Sequence, residues 1–136
     1  MKPLNADLHC HSTVSDGLLT PTEVVRRAHD NGVELLALTD HDELGGLAEA
    51  RAAANKIGLR FVDGVEVSIS WGDDQTVHIV ALGVDPANVS LREGLQKVRS
   101  GRDARAGRMA ASTTMLYTAS GVGYKLSRNS ESTRVV

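Results

Sequence analysis

The sequence has a single cysteine, Cys10, among 136 residues. No disulfide can form within the chain, in keeping with a reducing compartment. Aromatic residues make up only 3%, too few for the stacking platforms that bind single-stranded nucleic acid. Neither sign of charge prevails: 15 Lys and Arg face 17 Asp and Glu, which excludes recognition through a broadly cationic surface. No apolar run approaches the roughly 20 residues of a membrane span, and the opening MKPLNADLHCH has no signal-peptide core. The expected location is therefore cytoplasmic, with no membrane partner. Histidine is also scarce, with five in all, so where the five fall is informative.

What is present suits one soluble domain. The chain is 41% hydrophobic and 24% charged, and its length allows a real core. The stretch DLHCHSTVSDG, residues 7–17, opens with a strand whose alternation turns Asp7, His9 and His11 one way and Leu8 and Cys10 the other. GLLTPTEVVRRAHDNG follows as a helix, with Thr20 as cap, Pro21 at its first position and Glu23 completing the reciprocal cap. Val24, Val25 and Ala28 form its buried stripe, and Gly32 stops it. VELLALTDHD reads as a buried parallel strand from Val33 to Thr39. ELGGLAEARAAANKIG is a second helix closed by Gly58, with Asp40 or Asp42 expected to cap it. RFVDGVEVSISW and TVHIVALGV are two more strands, joined by the turn GDDQ into an antiparallel hairpin. A helix from Ser90 places Leu91, Leu95 and Val98 on one face. The order β-α-β-α-β-β-α argues for an α/β fold with a mostly parallel sheet, and such sheets gather function at the C-terminal ends of their strands.

Four of the five histidines lie on or just after strands, as does the strand glutamate Glu66, while His29 falls mid-helix among charged neighbours and reads as solvated surface. Each residue alone has an ordinary explanation. His78 would be a hydrogen-bonded core histidine, Glu66 an arginine's partner, Asp16-Gly17 a turn. Together they are harder to dismiss, because charge and imidazole buried at successive strand ends are costly without compensation. A divalent cation compensates them, and mixed imidazole and carboxylate donors suit Zn, Mn or Fe. Six donors (His9, His11, Asp16, His41, Glu66, His78) exceed one tetrahedral ion and fit a multinuclear centre. A nucleophilic triad is the weaker option, since Cys10 should point away from the histidines and no Gly-x-Ser-x-Gly turn is present.

DLHCHSTVSDG, LLALTDHDELGG, GVEVS and VHIVALG together resemble the N-terminal motifs of the PHP (polymerase and histidinol phosphatase) superfamily, nearest its stand-alone phosphoesterases of the 3',5'-nucleoside bisphosphate phosphatase kind. The resemblance runs from about Asp7 to Met109. It implies a distorted (β/α)7 barrel, of which this chain would hold an incomplete N-terminal part, with up to three Mn, Zn or Fe ions at the strand ends. By motif, His9 and His11 would hold the first ion and Glu66 would bridge it to a second held by His78. Asp16 and His41 would hold the third, and Asp7 and Asp40 would orient imidazoles from behind. The implied chemistry is hydrolysis of a phosphomonoester by a metal-bound hydroxide, on a nucleotide, short RNA or similar phosphorylated small molecule. A histidinol-phosphate phosphatase or an exonuclease-type PHP domain is a second reading. A non-catalytic fragment that binds metal or oligomerises is a third.

The family barrel is about twice as long, with further ligands in its second half, and no histidine follows His78 here. Residues 1–109 are thus expected to form the N-terminal half of a PHP domain. Residues 110–136, rich in Ser and Thr, are expected to be a divergent tail, disordered or out of frame. Half a barrel would leave strand edges open, so self-association or a partner completing the barrel is expected, with weakened metal affinity and reduced or absent activity.

Overall fold

The computed structural model describes residues 3–71 and 75–104. The expected boundary at 109/110 and the tail beyond it lie outside these residues. The elements are β1 (Ala6–Cys10), α1 (Pro21–Asp30), β2 (Leu35–Leu38), α2 (Leu47–Ile57), β3 (Arg60–Trp71), β4 (Gln75–Leu82) and α3 (Val89–Ala104).

Helix α1 starts where its local chemistry says it should. The Thr20 side chain accepts from the Glu23 N–H while the Glu23 carboxylate accepts from the Thr20 N–H, and Pro21 opens the first turn. Its buried face is Pro21, Val24, Val25 and Ala28. Glu49 of α2 accepts from both the N–H and the hydroxyl of Thr22, tying the two helices together. Helix α2 begins four residues later than the sequence suggested. Its cap is Gly46, with no side-chain bond, and neither Asp40 nor Asp42 caps it. Both carboxylates are taken by backbone and hydroxyl donors elsewhere. At the other end Gly58 is left-handed, as a helix stop requires.

The sheet runs β1-β2-β3-β4. β1 and β2 are parallel, as are β2 and the first third of β3, Arg60–Asp63. From Gly64 onward β3 instead pairs antiparallel with β4, from Gly64↔Leu82 to Trp71↔Gln75. Long β3 thus joins a parallel and an antiparallel half. Gly64 sits at the changeover, where a Cβ would stand 2.7 Å from Thr39 Cγ2. β2 is covered on both faces, with Leu36, Ala37 and Leu38 fully buried, and the core gathers Val25, Ala50, Ala54, Val65 and Leu95 around it. Burying each large aliphatic side chain contributes about 1.5–3 kcal/mol, so β2 anchors the strand ends on which the candidate site stands. β1 differs from expectation. Its register slips by one residue between Asp7 and Cys10, and Leu8 is 37% exposed rather than turned into the core. An edge strand with an inserted residue loses strict alternation, and such bulges re-aim side chains. Among the described residues no helix is long and apolar enough to cross a membrane.

Candidate metal centre

All six expected donors meet at the C-terminal ends of β1 and β2 and along β3 and β4. Glu66, on β3, lies at the middle with a side chain 7% exposed. Its Oε2 is 2.7 Å from His9 Nε2, 2.9 Å from His11 Nε2 and 3.7 Å from His41 Nε2, while Oε1 is 3.6 Å from His78 Nδ1. Asp16, in the loop after β1, reaches His11 Nδ1 at 2.9 Å and His41 Nε2 at 3.6 Å. The rings pack in a row, His9 to His11 to His41 to His78, with centroids 4.5–5.2 Å apart. Three overlapping groups of donors result: His9, His11 and Glu66; His11, Asp16 and His41; His41, Glu66 and His78. His29 lies apart, half-exposed beside Asp30.

The donor set tests whether divalent ions fit. His9 Nε2 and His11 Nε2 are 3.1 Å apart and both face one Glu66 oxygen. The triangle they form with that oxygen has edges of 2.7, 2.9 and 3.1 Å. Donors held about 2.0–2.2 Å from one tetrahedral ion are separated by about 3.3–3.6 Å, so the three atoms, slightly closer together than that, need only a small outward shift to share a cation. His41 Nδ1 is buried without a hydrogen-bond partner among the described residues. Nitrogen and carboxylate donors mixed in this way match Zn, Mn or Fe better than Mg or Ca.

The electrostatics are strongly coupled. Burial raises the Glu66 carboxyl, but hydrogen bonds from His11 and His9 and the nearby imidazolium charges outweigh it, holding the group well below the usual carboxylate range. The hydrogen bond to Glu66, with help from Asp16, lifts His11 above its ordinary value against the effect of burial. Burial lowers His41, and its histidine neighbours add to that. Desolvation pushes Asp16 up, but the charges of His11 and His41, together with hydrogen bonds from Ser15 and His11, outweigh it and lower the group. Glu66 is thus an anion held amid imidazoles, of which His11 is raised and His41 lowered.

The two aspartates expected behind the imidazoles do other work. Asp7 accepts from the backbone N–H of His9 at 3.3 Å, and it bonds no imidazole among the described residues. Asp40, 2% exposed, accepts from the Ser12 N–H, the Ser12 hydroxyl and the Ser15 hydroxyl at 2.7–2.8 Å. It therefore braces the loop that carries Asp16. Ser12 and Ser15 were not singled out from the sequence, since a serine in a polar loop carries no signal until its partner, 25 to 28 residues away, is known. Cys10 does turn from the histidines, its thiol donating to the Ala37 carbonyl at 3.1 Å.

The family model of the PHP domain matches residues 7–125. A 3',5'-nucleoside bisphosphate phosphatase of Chromobacterium violaceum is 60% identical over 108 residues, covering 79% of this chain and 38% of that protein. A 5'-3' exoribonuclease of Haemophilus influenzae is 46% identical over 100 residues, 74% of this chain and 36% of its own. Among solved structures, an amidohydrolase from Chromobacterium violaceum with bound sulfate superposes with a TM-score of 0.70 at 61% identity, covering 75% of this chain and 36% of that one. A candidate metal-dependent phosphoesterase from Bifidobacterium adolescentis gives a TM-score of 0.70 at 34% identity, with 79% and 37% covered. The chain thus spans a little over a third of the length of these relatives. Its four-stranded half-barrel is the N-terminal part of their fold. With a matching family model over most of its length and relatives of high identity, the chain belongs to the PHP domain family.

Proposed function

We propose that this chain carries the N-terminal portion of a metal-dependent phosphomonoesterase site acting on a nucleotide or short-RNA phosphate. The observation that carries the reading is Glu66, a nearly buried carboxylate whose two oxygens face four imidazoles from three other segments. In this reading His9 and His11 hold one ion with Glu66, His78 a second with Glu66, and Asp16 and His41 a third. Bound divalent ions of this kind supply a deprotonated nucleophile at neutral pH and positive charge for the phosphoryl oxygens. The chain's own residues hold the donors ready. Glu66 aims the imidazoles of His9 and His11, Asp16 fixes the His11 ring through Nδ1, and Asp40 clamps the Asp16 loop through Ser12 and Ser15. In the overall reaction water adds to phosphorus, the phosphorus–ester oxygen bond breaks, and the alcohol leaves with a proton. The near-balanced charge of the chain is consistent with phosphate recognition through ions rather than through a basic surface.

The relatives named as a nucleoside bisphosphate phosphatase and as exoribonucleases support a phosphorylated nucleotide as the substrate class. The test is metal content of the desalted chain, followed by phosphate release from adenosine 3',5'-bisphosphate and from a 5'-phosphorylated RNA oligomer. Two or three retained ions with release from either substrate supports the proposal, and the preferred substrate separates the two readings. Glu66→Gln should abolish metal retention. Metal held without turnover would instead mark a binding fragment, and no retained metal overturns the site.

A further inference from the structure

β2 ends at Leu38, but its chain stays beside β3 for several more residues. The last ladder pair is Leu38↔Asp63. Beyond it stands one isolated parallel bridge, His41↔Glu66. Two donors of the candidate centre therefore lie in register where no continuous ladder holds them.

Asp42 supplies what the ladder lacks. Its N–H donates to the Glu66 carbonyl at 2.9 Å, and its Oδ1 accepts from the Ser68 N–H at 2.8 Å, two residues further along β3. Just before it, the Asp40 carbonyl accepts from the Glu66 N–H at 3.2 Å. On its outer side, the Asp42 carbonyl accepts from the Arg99 guanidinium of α3, whose Nε also pairs with Glu43 at 3.1 Å. Asp42 is completely buried. It is also the one non-glycine residue with positive φ, +51°, among the described residues. Aspartate and asparagine accept that conformation more readily than most side chains. A capping role is excluded, because α2 starts at Leu47 with Gly46 as its cap.

We propose that Asp42 is a positioning residue for the metal centre: through the backbone of β3 it fixes His41 against Glu66, with Arg99 as its outer anchor. This rests on the reading of His41 and Glu66 as metal donors. His41 takes part in two of the three donor groups, so a shift of its backbone disturbs both. The group of His9, His11 and Glu66 does not contain it and should suffer less.

The experiment is a Co2+ titration of the 136-residue chain, followed by visible absorption, with thermal unfolding of the metal-free chain alongside. Asp42→Gly keeps the backbone conformation accessible and removes the carboxylate. It should weaken the affected Co2+ sites about 10–100-fold, the range found when partners behind metal ligands are removed, and change their absorption. Asp42→Asn keeps both the acceptor and the tolerance of positive φ, and should restore binding. Arg99→Gln, on a partly exposed helix position, should weaken binding in the same direction, and it decides the matter if Asp42→Gly does not fold. Wild-type binding by Asp42→Gly, failure of Asp42→Asn to rescue, or unchanged binding by Arg99→Gln overturns the proposal. If the wild-type chain itself takes up no Co2+, the donor reading falls and this proposal with it. Wild-type uptake with unaffected variants sinks the positioning role alone.

Discussion

Gly17 shows how little room the candidate site leaves. A Cβ there would stand 2.4 Å from the His11 carbonyl oxygen and 2.6 Å from its carbon. Both are backbone atoms, and the Gly17 N–H is already bonded to the Ser12 carbonyl at 2.8 Å. Gly17→Ala must push apart the loop that carries Asp16, at a cost of about 1–3 kcal/mol, the usual range for overpacking. The urea midpoint of the metal-free chain should fall accordingly, and an unchanged midpoint would show that the loop yields freely. Cys10 offers a second test. Burial, with the charges of Asp7 and Asp40, pushes its thiol from 9.0 up to about 12. Little thiolate exists at pH 8.5, so iodoacetamide should label the native chain far more slowly than the urea-unfolded chain. The folded value lies above the unfolded one. Its contribution to stability is therefore whole below about pH 9 and is lost as the pH rises towards 12. Equal labelling rates in the two states would refute this.

At the scale of elements, the helices divide into one that is locally specified and one that is not. α1 carries its own start signal in Thr20, Pro21 and Glu23, and the structure uses all three. Thr20→Ala should cost about 1 kcal/mol, the usual effect of losing such a cap. The hydrogen bonds from Thr20 hold the Glu23 carboxyl below its ordinary value, so NMR titration of the variant should find Glu23 moved back up. A cap that can be removed with neither change would mean that α1 is held by packing alone. The start of α2 was misread because Asp40 and Asp42 look like caps in sequence. Their partners, Ser12, Ser15 and Ser68, lie 25 to 28 residues away, and no local pattern reveals them. The antiparallel pairing of β3 with β4 was legible from two β-rich runs, while the turn expected at GDDQ falls on residues 72–74, outside the described residues.

For the whole molecule, the sheet order leaves β1 and β4 as the outer strands among the described residues. β1 is exposed at Ala6, Asp7, Leu8 and His9, with Leu4 close by at 48% exposure. An exposed strand edge flanked by apolar side chains is a template for another strand. The chain should therefore associate as its concentration rises, which sedimentation velocity measures directly. A monomer at every concentration would rule out β1 and β4 as open templates. Relatives of greater length, of which this chain matches a little over a third, are consistent with further chain packing at these edges.

By itself the sequence determined the order of elements, the capped start of α1, the buried run of β2 and the identity of six candidate donors. These depend on local periodicity and on residue chemistry, both of which are visible in one dimension. Only the tertiary structure decided which donors share a neighbourhood. Glu66 meets His9, 57 residues away, because β1, β2 and β3 pair in that order, and strand pairing is a long-range choice. The same holds for the slip in β1, the bracing of Asp40 by serines and the clamp at Asp42. Each is a bond between segments distant in the chain, and its partner is fixed only once the sheet has formed.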